Sequence, residues 1–107
     1  KKTKQLALRK AITERIKAGD VLVVENLQLD SPRTKGFMNL LHTFDVSDTL
    51  LVVTESADQN LVLASRNVPG VELTSSNNVN TYQVLRYNQL LFTRGALEAL
   101  DARLKSE

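Results

Sequence analysis

The chain contains no cysteine, a single histidine and only two prolines among its 107 residues. Lack of cysteine excludes disulfide frameworks, thiolate metal sites and thiol nucleophiles. With His42 as the one imidazole, a zinc ion would have only carboxylates for its remaining ligands, and a structural zinc site needs more nitrogen or sulfur than that. The four glycines are scattered at positions 19, 36, 70 and 95. None of them forms the clustered loop that lets a backbone approach a pyrophosphate. Aromatic residues are equally sparse, two tyrosines and three phenylalanines with no aromatic-rich strand, which disfavours base-stacking modules of the RRM or OB type. No apolar run approaches the roughly 18 residues of a membrane span. The first twenty residues alternate charged and apolar side chains instead of forming a signal peptide. The expectation is a protein that stays in the compartment where it is made, with no membrane partner, no cofactor and no small-molecule substrate.

What is present suits one hydrophobic core. A chain of this length buries roughly two thirds of the surface its unfolded form would expose, and 42% hydrophobic with 24% charged residues is an ordinary globular balance. Residues 1–107 are therefore expected to form a single globular α/β domain. The net charge of +2 conceals an uneven distribution. Residues 1–20 hold seven Lys/Arg against two acids, whereas residues 21–107 hold seven against ten. Lys1, Lys2, Lys4, Arg9 and Lys10 place five cations and no acid within ten residues, a density that suits a polyanion.

Periodicity sets the order of the elements. Leu8, Ala11, Ile12 and Ile16 recur at helical spacing between Thr3 and Ala18, and Gly19 stands where a helix C-cap is expected. Val21–Val24 is an unbroken apolar run, which predicts a strand covered on both faces. Asp30-Ser31-Pro32 supplies a cap and a first-turn proline for a helix carrying Phe37, Leu40, Leu41 and Phe44. The cycle repeats with a buried strand at Leu50–Val53 and a helix bearing Leu61, Ala64, Ser65 and Val68, closed by Pro69-Gly70. Val71–Thr74 alternates apolar and polar residues and reads as an edge strand or one with a solvated face. After the Ser75–Asn78 loop, a short helix over Asn80–Arg86 leads to a strand at Leu90–Phe92. Thr93 then caps a last helix with the stripe Ala96, Leu97, Leu100 and Leu104. Gly95, in that helix's first turn, weakens it by about 1 kcal/mol relative to alanine. Regular alternation of strand and helix makes each connection a crossover, so the fold expected is α/β: a three-layer α/β/α sandwich with a parallel four-stranded sheet.

The candidates for chemistry are few. Glu25-Asn26-Leu27-Gln28-Leu29 follows the first strand with no glycine, so nucleotide binding by that route is not expected. His42 sits one step off a buried helical stripe and reads as a solvent-facing or boundary residue, and no serine lies in a nucleophile elbow. The acids Asp30, Asp45, Asp48, Glu55 and Asp58 fall near strand-helix junctions. Glu25 with Asp58 is the strongest enzymatic pair, yet Asp58 reads equally well as a helix cap. No enzyme is expected. The remaining class is nucleic-acid binding by backbone contact: the N-terminal cations, joined by Arg33-Thr34-Lys35, Ser65-Arg66-Asn67 and Arg86 at helix ends and loops, where such side chains hold phosphate and sugar oxygens.

Those residues also carry a family resemblance. Lys2-Thr3 with Leu6-Ala7-Leu8-Arg9, Pro32-Arg33-Thr34-Lys35, Asn60-Leu61 with Ser65-Arg66-Asn67, and Asn80-Thr81-Tyr82 with Leu85-Arg86 ahead of Leu91-Phe92-Thr93 occur in an order that resembles the family of protein four of the large ribosomal subunit, the L-four family, in its bacterial form. The resemblance implies a parallel four-stranded sheet in an α/β/α domain, contacts with large-subunit ribosomal RNA and neighbouring ribosomal proteins, a role in assembly, and a cytoplasmic, ribosomal location. It further implies a longer polypeptide, of which this would be the C-terminal globular part without the N-terminal portion and the extended basic arm. Tyr87-Asn88 and Gly95 depart from the family pattern. The RNA-binding set expected is Lys1, Lys2, Lys4, Arg9, Lys10, Thr34, Lys35, Arg66, Asn67 and Arg86. The alternative is a receiver-like α/β module that docks a protein partner without catalysis, which would show a contiguous exposed apolar patch.

Overall fold

The computed structural model describes residues 2–25, 34–43, 48–55, 59–66 and 68–105, with the backbone alone at 2–5, 34 and 40. Along these residues run α1 (Lys2–Lys17), β1 (Val21–Val24), α2 (Thr34–Thr43), β2 (Leu50–Thr54), α3 (Gln59–Ser65), β3 (Val71–Ser75), α4 (Thr81–Arg86), β4 (Gln89–Thr93) and α5 (Arg94–Lys105). The four strands make one parallel sheet in the order β1-β4-β2-β3. Moving from β1 through β2 to β3, the chain crosses the sheet in one direction with α2 and α3 on one face. It then returns to β4 with α4 on the other face, joined there by α1 and α5. Reversing direction together with face keeps the hand of the crossovers uniform, as strand twist demands. The expected three-layer α/β/α sandwich is what forms.

Alternation along the central strands divides the core in two. Leu51, Val53, Leu90 and Phe92 pack beneath α1, α4 and α5, while Leu50, Val52 and Leu91 pack beneath α2 and α3. All seven are fully buried, and each such side chain contributes about 1.5–3 kcal/mol by leaving water. β4 is covered on both faces like β2, where the buried reading is therefore correct. At β1 it is not. The strand lies at a sheet edge because β4, the last strand in sequence, inserts between it and β2. Val21, Leu22 and Val24 are only half-buried and Val23 is 51% exposed.

Two glycines mark the places where the chain turns from helix to strand. Gly19 has φ +79°, and the bonds Gly19 N–H to Ile16 C=O (3.1 Å) and Asp20 N–H to Arg15 C=O (3.1 Å) complete a Schellman cap on α1. Gly70, also at φ +79°, offers its carbonyl to the Leu50 N–H at 2.9 Å and so starts the β2–β3 ladder. That ladder extends to the pair Thr54 and Ser75, which makes Ser75 the last residue of β3 instead of the first of the loop. The expected Asp30-Ser31-Pro32 cap and Phe44 lie outside the described residues.

Candidate nucleic-acid interface

Helix α1 carries most of the chain's excess cations, and its phase decides which of them face outward. Leu8, Ala11 and Ile12 are buried as expected, but Ile16 is 52% exposed. The inward stripe continues instead through Arg15, at the next helical step after Leu8, Ala11 and Ile12. Its Nη2 donates to the carbonyls of Tyr87 and Asn88, the latter at 2.6 Å, and Nη1 lies 3.7 Å from the Asp20 carboxylate. An arginine on the core side of the helix thus fastens α1 to the segment that enters β4, while its buried Nε has no partner among the described residues. Arg9 and Lys10 remain exposed.

Helix α4 is short and depends on its cap. The Asn80 side chain accepts from Gln83 N–H at 2.9 Å and the Gln83 side chain accepts from Asn80 N–H at 3.1 Å, a reciprocal capping box. Gln83 also donates to Glu72 on β3 at 2.9 Å, and the Tyr87 hydroxyl donates to the same carboxylate. That hydrogen bond, reinforced by burial and by the charge of Glu72, raises the Tyr87 pKa above its ordinary value, against a smaller opposing pull from Arg86. With Val84 fully buried and Tyr87 only 7% exposed, Tyr82, Leu85 and Arg86 are left on the outer side. The Arg86 guanidinium stands 5.8 Å from the Tyr82 ring centroid and 5.5 Å from that of Tyr87.

Of the RNA-binding set expected from sequence, Arg9, Lys10 and Arg86 are exposed on α1 and α4, two helices that pack together on one layer. Lys35 on α2 and Arg66 directly after α3 are exposed on the opposite layer. The structure does not bring these two groups together. Lys1 and Asn67 lie outside the described residues, as do the side chains of Lys2, Lys4 and Thr34. Among the described residues none of Arg9, Lys10, Lys35, Arg66 and Arg86 is in an ion pair. Arg66 and Arg86 sit at helix C-termini, where a cation also complements the helix dipole. Sequence reasoning missed Tyr82 and Arg15. The signal for Tyr82 was present, because a helix that buries Val84 and Tyr87 turns position 82 outward.

The carboxylates do not assemble a reaction centre among the described residues. Glu25 is paired with Arg94 at 3.0 Å, Arg94 also reaches Glu98 at 3.6 Å, and Asp58 lies outside the described residues. Glu55 rests against Gly95, so closely that a Cβ there would fall 2.1 Å from its Oε1. This places an anion at the start of α5, where Thr93 Oγ1 caps the Ala96 N–H at 3.1 Å. His42 is exposed. Among the described residues no group of three or more acidic or imidazole side chains could hold a metal, and no helix is long and apolar enough to cross a membrane.

These features define a parallel α/β/α protein that presents, on two layers, exposed cations with no ion-pair partner among the described residues. The chain belongs to the ribosomal protein L4/L1 family, whose model matches residues 1–103. It is 37% identical over 101 residues to the large ribosomal subunit protein uL4 of Thermoanaerobacter sp. (strain X514), a match covering 94% of this chain and 48% of that relative. The uL4 protein of Symbiobacterium thermophilum is 34% identical over 101 residues, covering 94% of this chain and 49% of the relative. The chain spans about half the length of the curated relatives it matches.

Proposed function

We propose that residues 1–107 act as one domain of a structural, non-enzymatic constituent of the large ribosomal subunit, which binds large-subunit ribosomal RNA and supports ribosome assembly and translation in the cytoplasm. The family match over residues 1–103 carries this reading. The exposed cations Arg9, Lys10, Lys35, Arg66 and Arg86 support it, because none has an acid partner among the described residues and such a cation can neutralise a phosphate. Lys1, Lys2, Lys4, Thr34 and Asn67 complete the proposed contact set. Neighbouring ribosomal proteins are the second class of partner. A receiver-like docking module, the alternative from sequence, gains nothing from the family match.

The test is equilibrium binding of the full-length polypeptide to large-subunit ribosomal RNA over a range of salt concentrations. Log affinity should fall linearly with log salt, with a slope of about −0.7 to −0.9 per phosphate neutralised. Replacing Lys1, Lys2, Lys4, Arg9 and Lys10 together by alanine should flatten that slope by several units. Binding indifferent to salt would overturn the reading.

A further inference from the structure

We propose that the outer side of α4 is a stacking platform on which Tyr82 receives an unpaired RNA base while Arg86 meets the phosphate beside it. The proposal rests on the rRNA-binding reading and deepens it, by assigning one place where a base, and not the backbone alone, is held.

Three observations lead there. First, Tyr82 is 68% exposed and Leu85 is 57% exposed, so a helix of six residues puts two of its largest apolar side chains into water. The phase responsible is not slack: the Asn80–Gln83 capping box sets it at one end, and buried Val84 and Tyr87 hold it at the other. Second, Arg86 lies over the rings of both Tyr82 and Tyr87, and among the described residues it has no carboxylate partner. Tyr87 is itself anchored to Glu72 through its hydroxyl, so the guanidinium is braced from the inner side and its charge is unspent. Third, α4 contains no acidic residue, and the exposed residues Asn77, Asn78 and Asn80 that precede it in the chain are uncharged. Nothing on the helix itself repels a phosphate, and amides offer donors to sugar and phosphate oxygens.

A flat exposed ring beside a planar cation with no carboxylate partner among the described residues, on a helix without acids, is complementary to a nucleotide. The base covers ring surface that water now touches, and the anion neutralises the guanidinium. Stacking of this kind is tolerant of base identity because every base has a π-face. The whole chain lacks an aromatic-rich RNA-binding module, so the contact is a single platform added to a backbone-binding protein.

The experiment measures affinity of the full-length polypeptide for large-subunit ribosomal RNA as a function of salt for wild type, Tyr82→Ala, Tyr82→Phe and Arg86→Met, with thermal unfolding of each to verify the fold. Tyr82→Ala should weaken binding by about 5- to 150-fold at unchanged salt slope, since stacking releases no counterion. Tyr82→Phe should bind like wild type. Arg86→Met should weaken binding and reduce the magnitude of the slope by about one phosphate contact. Ultraviolet crosslinking of the wild-type complex should give a nucleotide adduct at Tyr82. Wild-type affinity in a folded Tyr82→Ala, with no adduct at Tyr82, overturns the platform and leaves the rRNA-binding reading standing. Failure of the wild type to bind overturns both. Unchanged RNA affinity in Tyr82→Ala with loss of a neighbouring ribosomal protein from the assembled subunit would make the face a protein contact and likewise overturn the platform.

Discussion

The inner seam between α1 and α4 and the outer surfaces of the same two helices use similar residues for opposite purposes. Along the seam, Arg15 donates to the carbonyls of Tyr87 and Asn88, and Tyr87 and Gln83 donate to Glu72. Apart from the buried Arg15 Nε, which has no partner among the described residues, these polar groups are committed to partners within the protein. On the outside, Arg9, Lys10 and Arg86 have no acid partner among the described residues, and Tyr82 has solvent over its ring. Arg9 and Arg15 stand six residues apart on one helix, yet one is a structural clamp and the other a candidate RNA contact. Residue type and charge count do not separate these roles. Orientation toward the sheet does.

Substitutions across the seam should break that contrast in graded steps. Arg15→Met keeps an apolar stem but strips two carbonyls of a charged donor, and should cost about 3 kcal/mol in denaturant unfolding. Replacing Arg9 and Lys10 by glutamine should instead change stability by no more than about 0.5 kcal/mol while weakening RNA binding. If the two outward cations proved as costly to stability as Arg15, the distinction between seam and surface would collapse.

Tyr87→Phe removes the hydroxyl that Glu72 accepts and should cost about 1.5 kcal/mol near neutral pH. It should also alter the alkaline limb. The folded state holds the Tyr87 proton more tightly than the unfolded chain, so this contribution is complete below the ordinary tyrosine value of 10.0 and is lost as pH rises through the raised folded value. Stability against pH should therefore decline less steeply above pH 10.0 in Tyr87→Phe than in wild type. Parallel curves would show that the bond to Glu72 does not discriminate protonation states.

Asn80→Ala takes away half of the capping box and should cost about 1 kcal/mol. Because α4 has only six residues, the same change should loosen the outer platform, and hydrogen exchange over 81–86 should accelerate. The smallest effect is expected at Gly95→Ala. Alanine gains up to about 1 kcal/mol of helix propensity, but its Cβ displaces the flexible Glu55 carboxylate from the start of α5, where an anion contributes about 0.3–1 kcal/mol. Unfolding should show a net change within about 0.5 kcal/mol on those opposing terms. A full gain of about 1 kcal/mol would mean that Glu55 contributes nothing at that position.

Much of the architecture was legible beforehand because it follows from local rules. Alternating strand and helix signals imply crossovers, Gly19 and Thr93 occupy the cap positions assigned to them, and the apolar runs at β2 and β4 are buried throughout. Legibility failed where a neighbour distant in sequence decides the outcome. Val21–Val24 carries the same signal as Leu50–Val53 but lies at an edge, because strand order depends on which pairs of strands meet and no local pattern encodes that. Ile16 was expected in the buried stripe, yet the stripe runs through Arg15, whose guanidinium donates to the carbonyls of Tyr87 and Asn88, more than seventy positions away. The ten proposed RNA contacts formed a single set as a string of letters, whereas the sheet stands between Arg9, Lys10 and Arg86 on one layer and Lys35 and Arg66 on the other.

By itself the sequence determined which segments are helix and which are strand, where they are capped, that the strands run parallel, and that positive charge gathers near the first helix. These depend on backbone geometry and on periodicity within a few residues. Only the tertiary structure decided that β4 lies in the middle, that Arg15 is spent inside, and that Tyr82 and Arg86 face outward together. Such outcomes depend on which side of each helix meets the sheet, and that is settled by packing between residues far apart in the chain.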